Sequence, residues 1–239
     1  HDLSYDGTTI PTWASVLLPA CGWVDTANTF SPVSSGPGSG GVKTITLAHY
    51  KDGKRSLLSG AMGTFKISCP TGKTAFITFT FTGKYSTNET DTAIVAPTYP
   101  TTLPLRFSPG VLTWNSVDLC TSSVEVDAGN SVIMRECVDV ADRTGFKSAI
   151  VTNRAPVITA DPESELVATQ NRESLWLTPT PHAFSMRVGV AFASIVIAAP
   201  KAQLENKQQG NRNDMMTDDL TWLATAGSAV DTELTIAFD

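Results

Sequence analysis

The feature that most constrains how this chain can fold is a strict two-residue alternation over residues 75–81. In an extended chain, Phe76, Thr78 and Thr80 would share one side, and the opposite side would be entirely apolar. Nearly every residue in this stretch is β-branched or aromatic, which is typical of strands. The stretch therefore predicts a β-strand, the clearest one in the chain.

Further strands are predicted where similar alternation recurs between turn signals such as Asp52-Gly53 and Thr71-Gly72. In the first half they cover residues 42–50 and 61–69. In the second half they cover residues 106–112, 117–127, 131–138, 146–153, 184–190, 194–205, 216–226 and 232–238. The chain is thus predicted to be mainly β.

Two helices are predicted, and each begins near a proline. Pro11 suits the first position of a helix over residues 11–20, although Pro19 would end that helix early. Asp161 is a favoured N-cap and is followed by proline and glutamate, so a second helix is expected to run to about Leu177.

Two long connections separate these elements. Residues 31–41 are rich in glycine, serine and proline, and their glycines match G-x-G-x-x-G. Because no strand is predicted before them and no helix after them, the dinucleotide-binding interpretation fails. Residues 86–104 are rich in threonine and proline, and a loop of this length is usually functional or a linker.

The charge content is low and acidic. Charged residues make up 17% of the chain, against about 25% in a typical soluble domain, which favours a protein that hides surface in an assembly. The net charge is −6, and the densest basic group is only Lys51, Lys54 and Arg55. The chain is therefore a poor candidate for gripping nucleic acid phosphates.

No residue pattern predicts a catalytic, cofactor or metal site. The cysteines are Cys21, Cys69, Cys120 and Cys137, and the histidines are His1, His49 and His182. They lack zinc spacing, so the cysteines are expected to be buried free thiols. No apolar run is long enough to span a membrane, and no signal peptide is visible.

Two acidic groups were weighed as possible sites. Asp214, Asp218 and Asp219 could bind a cation, but they lack the spacing of a calcium-binding loop, so an exposed turn or a channel-facing patch is expected. Glu163 and Glu165 do not share a helix face, so both are expected only to complement the dipole of the second helix.

The order of predicted elements repeats along the chain. A proline-started helix followed by three strands occupies residues 11–85, and the same order recurs about 150 residues later. This pattern predicts two fused units, residues 1–104 with the connecting loop and residues 105–239. The first unit would lack its opening strands, so some tens of residues are expected to precede His1 in the full protein.

A series of short motifs lies in a fixed order along nearly the whole chain. They are PTW at 11–13, LL at 17–18, ACG at 20–22, YKDG at 50–53, GAMGT at 60–64, FTFTGKY at 79–85, AGN at 128–130, NRAP at 153–156 and PKAQ at 200–203. Together these motifs resemble the major tail tube proteins of siphophages, the bacteriophages with long non-contractile tails.

This resemblance implies tail-tube-type β-sandwich or barrel units, each with a flanking α-helix. Neighbouring subunits of that family share a continuous inner barrel around a ring, and the rings stack through loops. The implied function is a structural virion protein of the phage tail, made in the host cytoplasm, whose tube conducts DNA during ejection. The implied partners are further copies of the chain, the tail-tip, tape-measure and tail-terminator proteins, and DNA in transit, with no membrane and no cofactor.

Several alternatives stay open at this stage. Two fused units per chain favour a trimeric ring with pseudo-six-fold symmetry, whereas a single unit would require a hexamer. Residues 31–41 and 86–104 are the candidates for contacts between rings. The rival functions are a capsid-decorating or receptor-binding β-sandwich module, and a carbohydrate hydrolase, for which we find no paired carboxylates.

Overall fold

The computed structural model describes residues 1–85, 89–108, 110–138, 140 and 144–239, and it consists mainly of antiparallel strands. The first-half strands are β1 (Trp23–Thr26), β2 (Thr29–Pro32), β3 (Ile45–Lys51), β4 (Lys54–Pro70), β5 (Phe76–Tyr85) and β6 (Thr90–Asp91). The second-half strands are β7 (Leu112–Trp114), β8 (Val117–Asp118), β9 (Ser123–Asp127), β10 (Asn130–Glu136), β11 (Phe146–Arg154), β12 (Val157–Ala160), β13 (His182–Val190), β14 (Ala193–Arg212), β15 (Met215–Thr225) and β16 (Thr235–Phe238). The prediction of a mainly β chain is confirmed.

Fourteen of the strands form one large sheet, and β10 and β11 form a separate two-stranded sheet. The main path of the large sheet is β1-β2-β16-β14-β15-β12-β9-β4-β3, with β13, β5 and β6 paired to its long strands and β7 and β8 following β13. Within the described residues the sheet does not close into a barrel, because β1 and β3 at the two ends of this path do not pair with each other.

The large sheet curves around one hydrophobic core. Trp23 on β1 and Phe65 on β4 stand near opposite ends of the path, yet their rings are only 5.2 Å apart. The core draws on both predicted units, since β4 pairs with β9 and β2 pairs with β16. The division at residues 104 and 105 stays a prediction.

A side chain bridges the open side of this curve. The Asn130 Nδ2 atom donates to the carbonyl oxygens of Cys21, at 2.8 Å, and Gly63, at 2.9 Å. The preceding Gly129 has φ +61°, and a Cβ there would lie 2.0 Å from the Ala155 carbonyl oxygen. Glycine is therefore required at the position that delivers the asparagine to this bridge.

The first helix matches the prediction in part. Helix α1 spans Thr12–Leu17, and Pro19 then opens a short 3₁₀ turn, Pro19–Cys21, so the proline does end the α-helix early. The helix is fixed by Trp13, which is buried and lies 5.9 Å from the ring of Phe238.

The prediction of the second helix is wrong over most of its length. Helix α2 spans only Arg172–Leu177, and its N-cap is Asn171, whose side chain accepts a 2.9 Å hydrogen bond from the Ser174 backbone N–H. Asp161 does not cap a helix. Its carboxylate accepts hydrogen bonds from the loop before β9 instead, and this tertiary contact outweighs the local capping preference.

The strand predictions also need corrections. In the strand predicted over residues 106–112, Arg106 and Phe107 form only isolated bridges, residue 109 lies outside the described residues, and β7 begins only at Leu112. β14 continues seven residues past the predicted end at Glu205. β1, β2 and β12 were not predicted, so five strands lie between α1 and residue 85, whereas β13, β14 and β15 follow α2.

Candidate assembly sheet and its edges

Six strands form a continuous, fully antiparallel part of the large sheet in the order β5-β4-β9-β12-β15-β14, which we call the six-stranded segment. One row of directly opposed residues points into the core. It consists of Ile77, Ile67, Val126, Ile158, Trp222 and Leu204, all of them buried. This row packs the segment against the rest of the protein.

The adjacent row points away from the core. It consists of Phe76, Ser68, Glu125, Thr159, Thr221 and Asn206. Except for Phe76 at one end, this row is polar, and none of its members is buried. The segment thus has the pattern of an antiparallel sheet with one face on the core and one face exposed.

The outward face is slightly acidic at the level of β9. Glu125 and Asp127 both project from it, and the Lys66 ammonium lies 2.8 Å from an Asp127 carboxylate oxygen. This hydrogen bond and the charge of Asp127 raise the pKa of Lys66 above its ordinary value. The pair is exposed, so it contributes little to stability but leaves Glu125 as the unbalanced charge.

The first edge of the segment is the outer side of β5, and it is open. The N-terminal residues pair with β5 only as far as Ile77, through hydrogen bonds of 2.8 Å in each direction with His1. Among the described residues, the outer side of residues 78–82 has no backbone partner. Residues 76–83 contain no charge and no proline, which are the devices that usually protect an edge strand.

The second edge is the outer side of β14. β13 pairs with β14 as far as Ala202, and from Lys207 to Arg212 the described partner of β14 is β15 alone. Between these two stretches, the Trp176 indole N–H of α2 donates to the Glu205 carbonyl oxygen at 3.0 Å. Both ends of the six-stranded segment therefore have open backbone edges.

The β14–β15 hairpin is held in place by a buried ion pair. Arg172 Nη1 lies 2.9 Å from Asp218 Oδ2, and the two side chains are only 2% and 3% exposed. Lys207 Nζ lies 3.3 Å from the other oxygen of Asp218, and the Ser164 hydroxyl donates to Oδ2 at 3.2 Å. Arg172 Nε also donates to the Gln170 side chain at 3.0 Å, and Nη1 donates to the Glu163 carbonyl oxygen at 2.8 Å, whereas Arg172 Nη2 is buried without a hydrogen-bond partner.

A second polar cluster ties the hairpin tip to the loop before β9. Arg212 lies 3.2 Å from Asp161 and 2.9 Å from Glu163. Burial acts to raise the pKa of Asp161, but hydrogen bonds from Ser122, Thr121 and the Ser123 backbone outweigh it and hold that pKa below its ordinary value of 3.8. Glu163 therefore pairs with an arginine, and the predicted role in complementing a helix dipole is wrong.

The structure separates the three aspartates that were weighed as a cation site. Asp214 lies in the tight turn of the hairpin with φ +65°, Asp218 is buried against Arg172, and Asp219 is exposed on β15. No group of three or more His, Cys, Asp or Glu residues that could hold a metal ion occurs in the described part of the chain.

The two predicted contact loops differ in how they are attached. The first, residues 31–41, is tied down because the Ser34 backbone N–H donates to Asp231 at 2.9 Å, and Asp231 in turn pairs with Arg154 at 2.9 Å. In the second, residues 86–88 lie outside the described residues, and residues 93–103 have no regular structure and make no hydrogen bond in the described part.

Residues 93–103, which we call the apolar arm, expose their large apolar side chains. Ile94, Val95, Tyr99 and Leu103 are between 60% and 82% exposed. Residues 92–104 carry no charge. These side chains lie outside the core of their own chain, so the loop stays a candidate for contact with another molecule.

The cysteines and histidines form no common site. Cys21 and Cys69 are buried free thiols, as predicted, and burial raises the pKa of Cys69 to about 12. Cys120 is exposed, so the prediction of burial is wrong there. His49 lies exposed on β3, and His182 packs against Trp114 at 6.0 Å.

Two further findings bear on function. In the described residues, no helix is long and apolar enough to cross a membrane. No protein-family model matches the chain, and no curated protein matches it.

Proposed function

We propose that the chain is a structural subunit of a bacteriophage tail tube, which associates with copies of itself into rings that stack around a channel for DNA. The observation that carries this proposal is the six-stranded segment, which is packed on one face, polar on the other and open at both edges. Open edges invite pairing with another chain, and pairing around a closed ring would remove them. The ordered tail tube motifs support the same function.

The strand directions fit closure by rotation. The segment has an even number of strands, and every neighbouring pair is antiparallel, so β5 and β14 run in opposite directions. Rotation about a ring axis preserves direction, so β14 of one copy would meet β5 of the next in antiparallel orientation. The ring would then be antiparallel throughout, as the sheet of each subunit is.

Strand counting favours a trimeric ring. Three copies would supply about 18 strands, and with a spacing of about 4.8 Å and a tilt of about 40° the barrel would be roughly 36 Å across between backbones. The two grooves of B-DNA are each about 8 Å deep and lie on opposite edges of the base pair, so a duplex is of the order of 20 Å across. It would pass through the barrel with the inward side chains in place. A hexamer would be about twice as wide as the trimer.

The polar face would line the channel in such a ring. Its hydroxyl and amide groups are uncharged, Lys66 offsets the charge of Asp127, and the remaining charge of Glu125 would repel phosphates rather than bind them. DNA would therefore pass without adhesive contacts. Tail-tip, tape-measure and tail-terminator proteins remain the further partners that the family resemblance suggests.

The experiment is negative-stain electron microscopy of the purified chain at high concentration, with class averages of any rings. We expect hollow rings or tubes from the wild type. Thr80→Lys places a charge on the open β5 strand and should prevent ring formation, because edge charges block pairing. Thr9→Lys, at an exposed threonine outside the six-stranded segment, is the control and should leave the rings intact. A wild-type chain that stays monomeric would contradict the tube and favour a capsid-decorating or receptor-binding module.

A further inference from the structure

The two open edges of the six-stranded segment are not equally open. Among the described residues, β10 and β11 lie near β5, but the outer backbone of residues 78–82 has no hydrogen-bond partner. Part of the β14 edge, in contrast, lies beside the chain that leads into β13. The opposed pairs are Phe184 with Ala199 and His182 with Ala202. Residues 178–181 connect β13 to helix α2, and that helix also contacts β14.

The sequence of this connecting stretch explains why strand pairing stops there. Residues 178–181 are Thr-Pro-Thr-Pro, and neither proline has an N–H group to donate to β14. The register between β14 and β15 also shifts between Leu204 and Asn206. Such a bulge is itself a means of keeping an edge from pairing.

Helix α2, which precedes this stretch in the chain, contacts β14 directly. Trp176 donates its indole N–H to the carbonyl of Glu205, the residue at the bulge. The start of the helix is anchored, because Arg172 is buried against Asp218, but its end is exposed, with Trp176 and Leu177 41% and 68% exposed. The end of α2 is therefore joined to the edge through one side-chain hydrogen bond.

We propose that residues 176–181 cover the upper part of the β14 edge, and that β5 of a second copy displaces them when it pairs along β14. The second copy as partner rests on the proposed function and on the opposite directions of β5 and β14. Head-to-tail pairing joins the β5 edge of one copy to the β14 edge of the next. Covering the β14 edge therefore limits the association of subunits, even though the β5 edge stays open. β5 of one copy would thus pair first with residues 207–212 of β14 in another copy. The pairing would extend past Glu205 once the hydrogen bond between Trp176 and Glu205 breaks.

The test uses a probe that does not depend on ring formation. A fluorescent peptide with the sequence of residues 76–85, flanked by lysines for solubility, is titrated with the full chain, and binding is followed by anisotropy. Trp176→Phe keeps an aromatic ring but removes the donor, and it should bind the peptide roughly fivefold more tightly, the change that one ordinary hydrogen bond is worth. Ser174→Ala, at an exposed position of the same helix outside residues 176–181, is the control and should bind like the wild type.

A second variant is expected to change the affinity for the peptide in the opposite direction. Replacing Pro179 and Pro181 with threonine restores two N–H donors, so β13 can extend along β14 and peptide binding should weaken. Thermal unfolding followed by circular dichroism checks that each variant is folded. A peptide with proline in place of Thr78 and Thr80 should not bind to any form.

The outcomes separate this inference from the proposed function. Equal peptide binding by the wild type and Trp176→Phe overturns the cover even if rings form, and peptide binding by none of the proteins overturns β5 as the partner strand. Tighter binding by Trp176→Phe supports the cover, and it does so even if microscopy finds no rings, a result that would count against the tail tube alone.

Discussion

The two faces of the six-stranded segment are built from the same strands and alternate residues, yet they have opposite tasks. The inward row consists of buried apolar side chains, Trp222 and Val126 among them. The residues next to these two in the sequence, Thr221 and Glu125, are polar and belong to the outward row. Burial is worth about 25 cal/mol per Å² of apolar surface, so stability resides in the inward row. The outward row contributes little to the fold, and its chemistry is free to serve contacts with other molecules.

The inward face changes character where the hairpin leaves the core. Along β15 the inward positions are Trp222, Leu220 and then Asp218, which pairs with Arg172 instead of packing on apolar groups. A buried charge of this kind adds little net stability when it is paired, but it is costly once its partner is removed. The ion pair with Arg172 therefore fixes the position of the β14–β15 hairpin relative to α2, in addition to the apolar packing.

The largest effect is expected from the bulkiest residue of the inward row. Trp222→Ala should lower the free energy of unfolding by about 3–5 kcal/mol, because it leaves a cavity beside Trp114 and Phe184. Thr221→Ala, one residue away on the outward face, should cost under about 1 kcal/mol. Urea denaturation measures both, and similar losses for the two variants would contradict the division of tasks between the faces.

The next effect tests the ion pair at the base of the hairpin. Asp218→Asn keeps the shape of the side chain but leaves Arg172 buried without its counter-charge, so unfolding should become easier by about 3 kcal/mol. Asp219→Asn, the matched change on the outward side of the same strand, should stay within about 0.5 kcal/mol. The ion pair would lose its assigned role if chemical denaturation gave equal midpoints for these variants.

The smallest effect concerns the pH dependence of stability and Asp161, the residue that directly follows β12. Because the folded pKa of Asp161 is lowered, its contribution to stability is present above the unfolded pKa and is lost as pH falls through the folded pKa. We expect wild-type stability to fall below about pH 4, and Asp161→Asn to reduce that fall by under about 1 kcal/mol. Urea titrations at about pH 6 and about pH 3 measure the difference, with the exposed Asp25→Asn as control. An unchanged pH dependence in Asp161→Asn would contradict the assignment.

Much of the strand content could be predicted from the sequence. The alternation at 76–81 lies within β5, and the Asp52-Gly53 signal does form the turn between β3 and β4, where both residues have positive φ. Such short-range patterns suffice because a strand with one buried face needs apolar residues at every second position. The unpredicted β1 and β12 have only four residues each, too few for a periodic signal.

The second helix shows where local signals fail. Asp161-Pro162-Glu163 has a good helix start, but Asp161 has better partners in Thr121 and Ser122, about 40 residues away in the chain. Likewise, no sequence pattern distinguishes Glu205, which accepts from Trp176, from any other exposed strand residue. Both outcomes depend on which segments the fold brings together.

The sequence by itself determined that this chain is mainly β and which faces of its strands are apolar, and it supplied the ordered motifs that resemble those of tail tube proteins. These properties follow from side-chain chemistry and short-range periodicity. Only the tertiary structure decided that β5 and β14 end the six-stranded segment with open edges, and that Trp176 donates a hydrogen bond to one of them. Strand order and edge exposure arise from pairings between distant segments, and no residue encodes such a pairing alone.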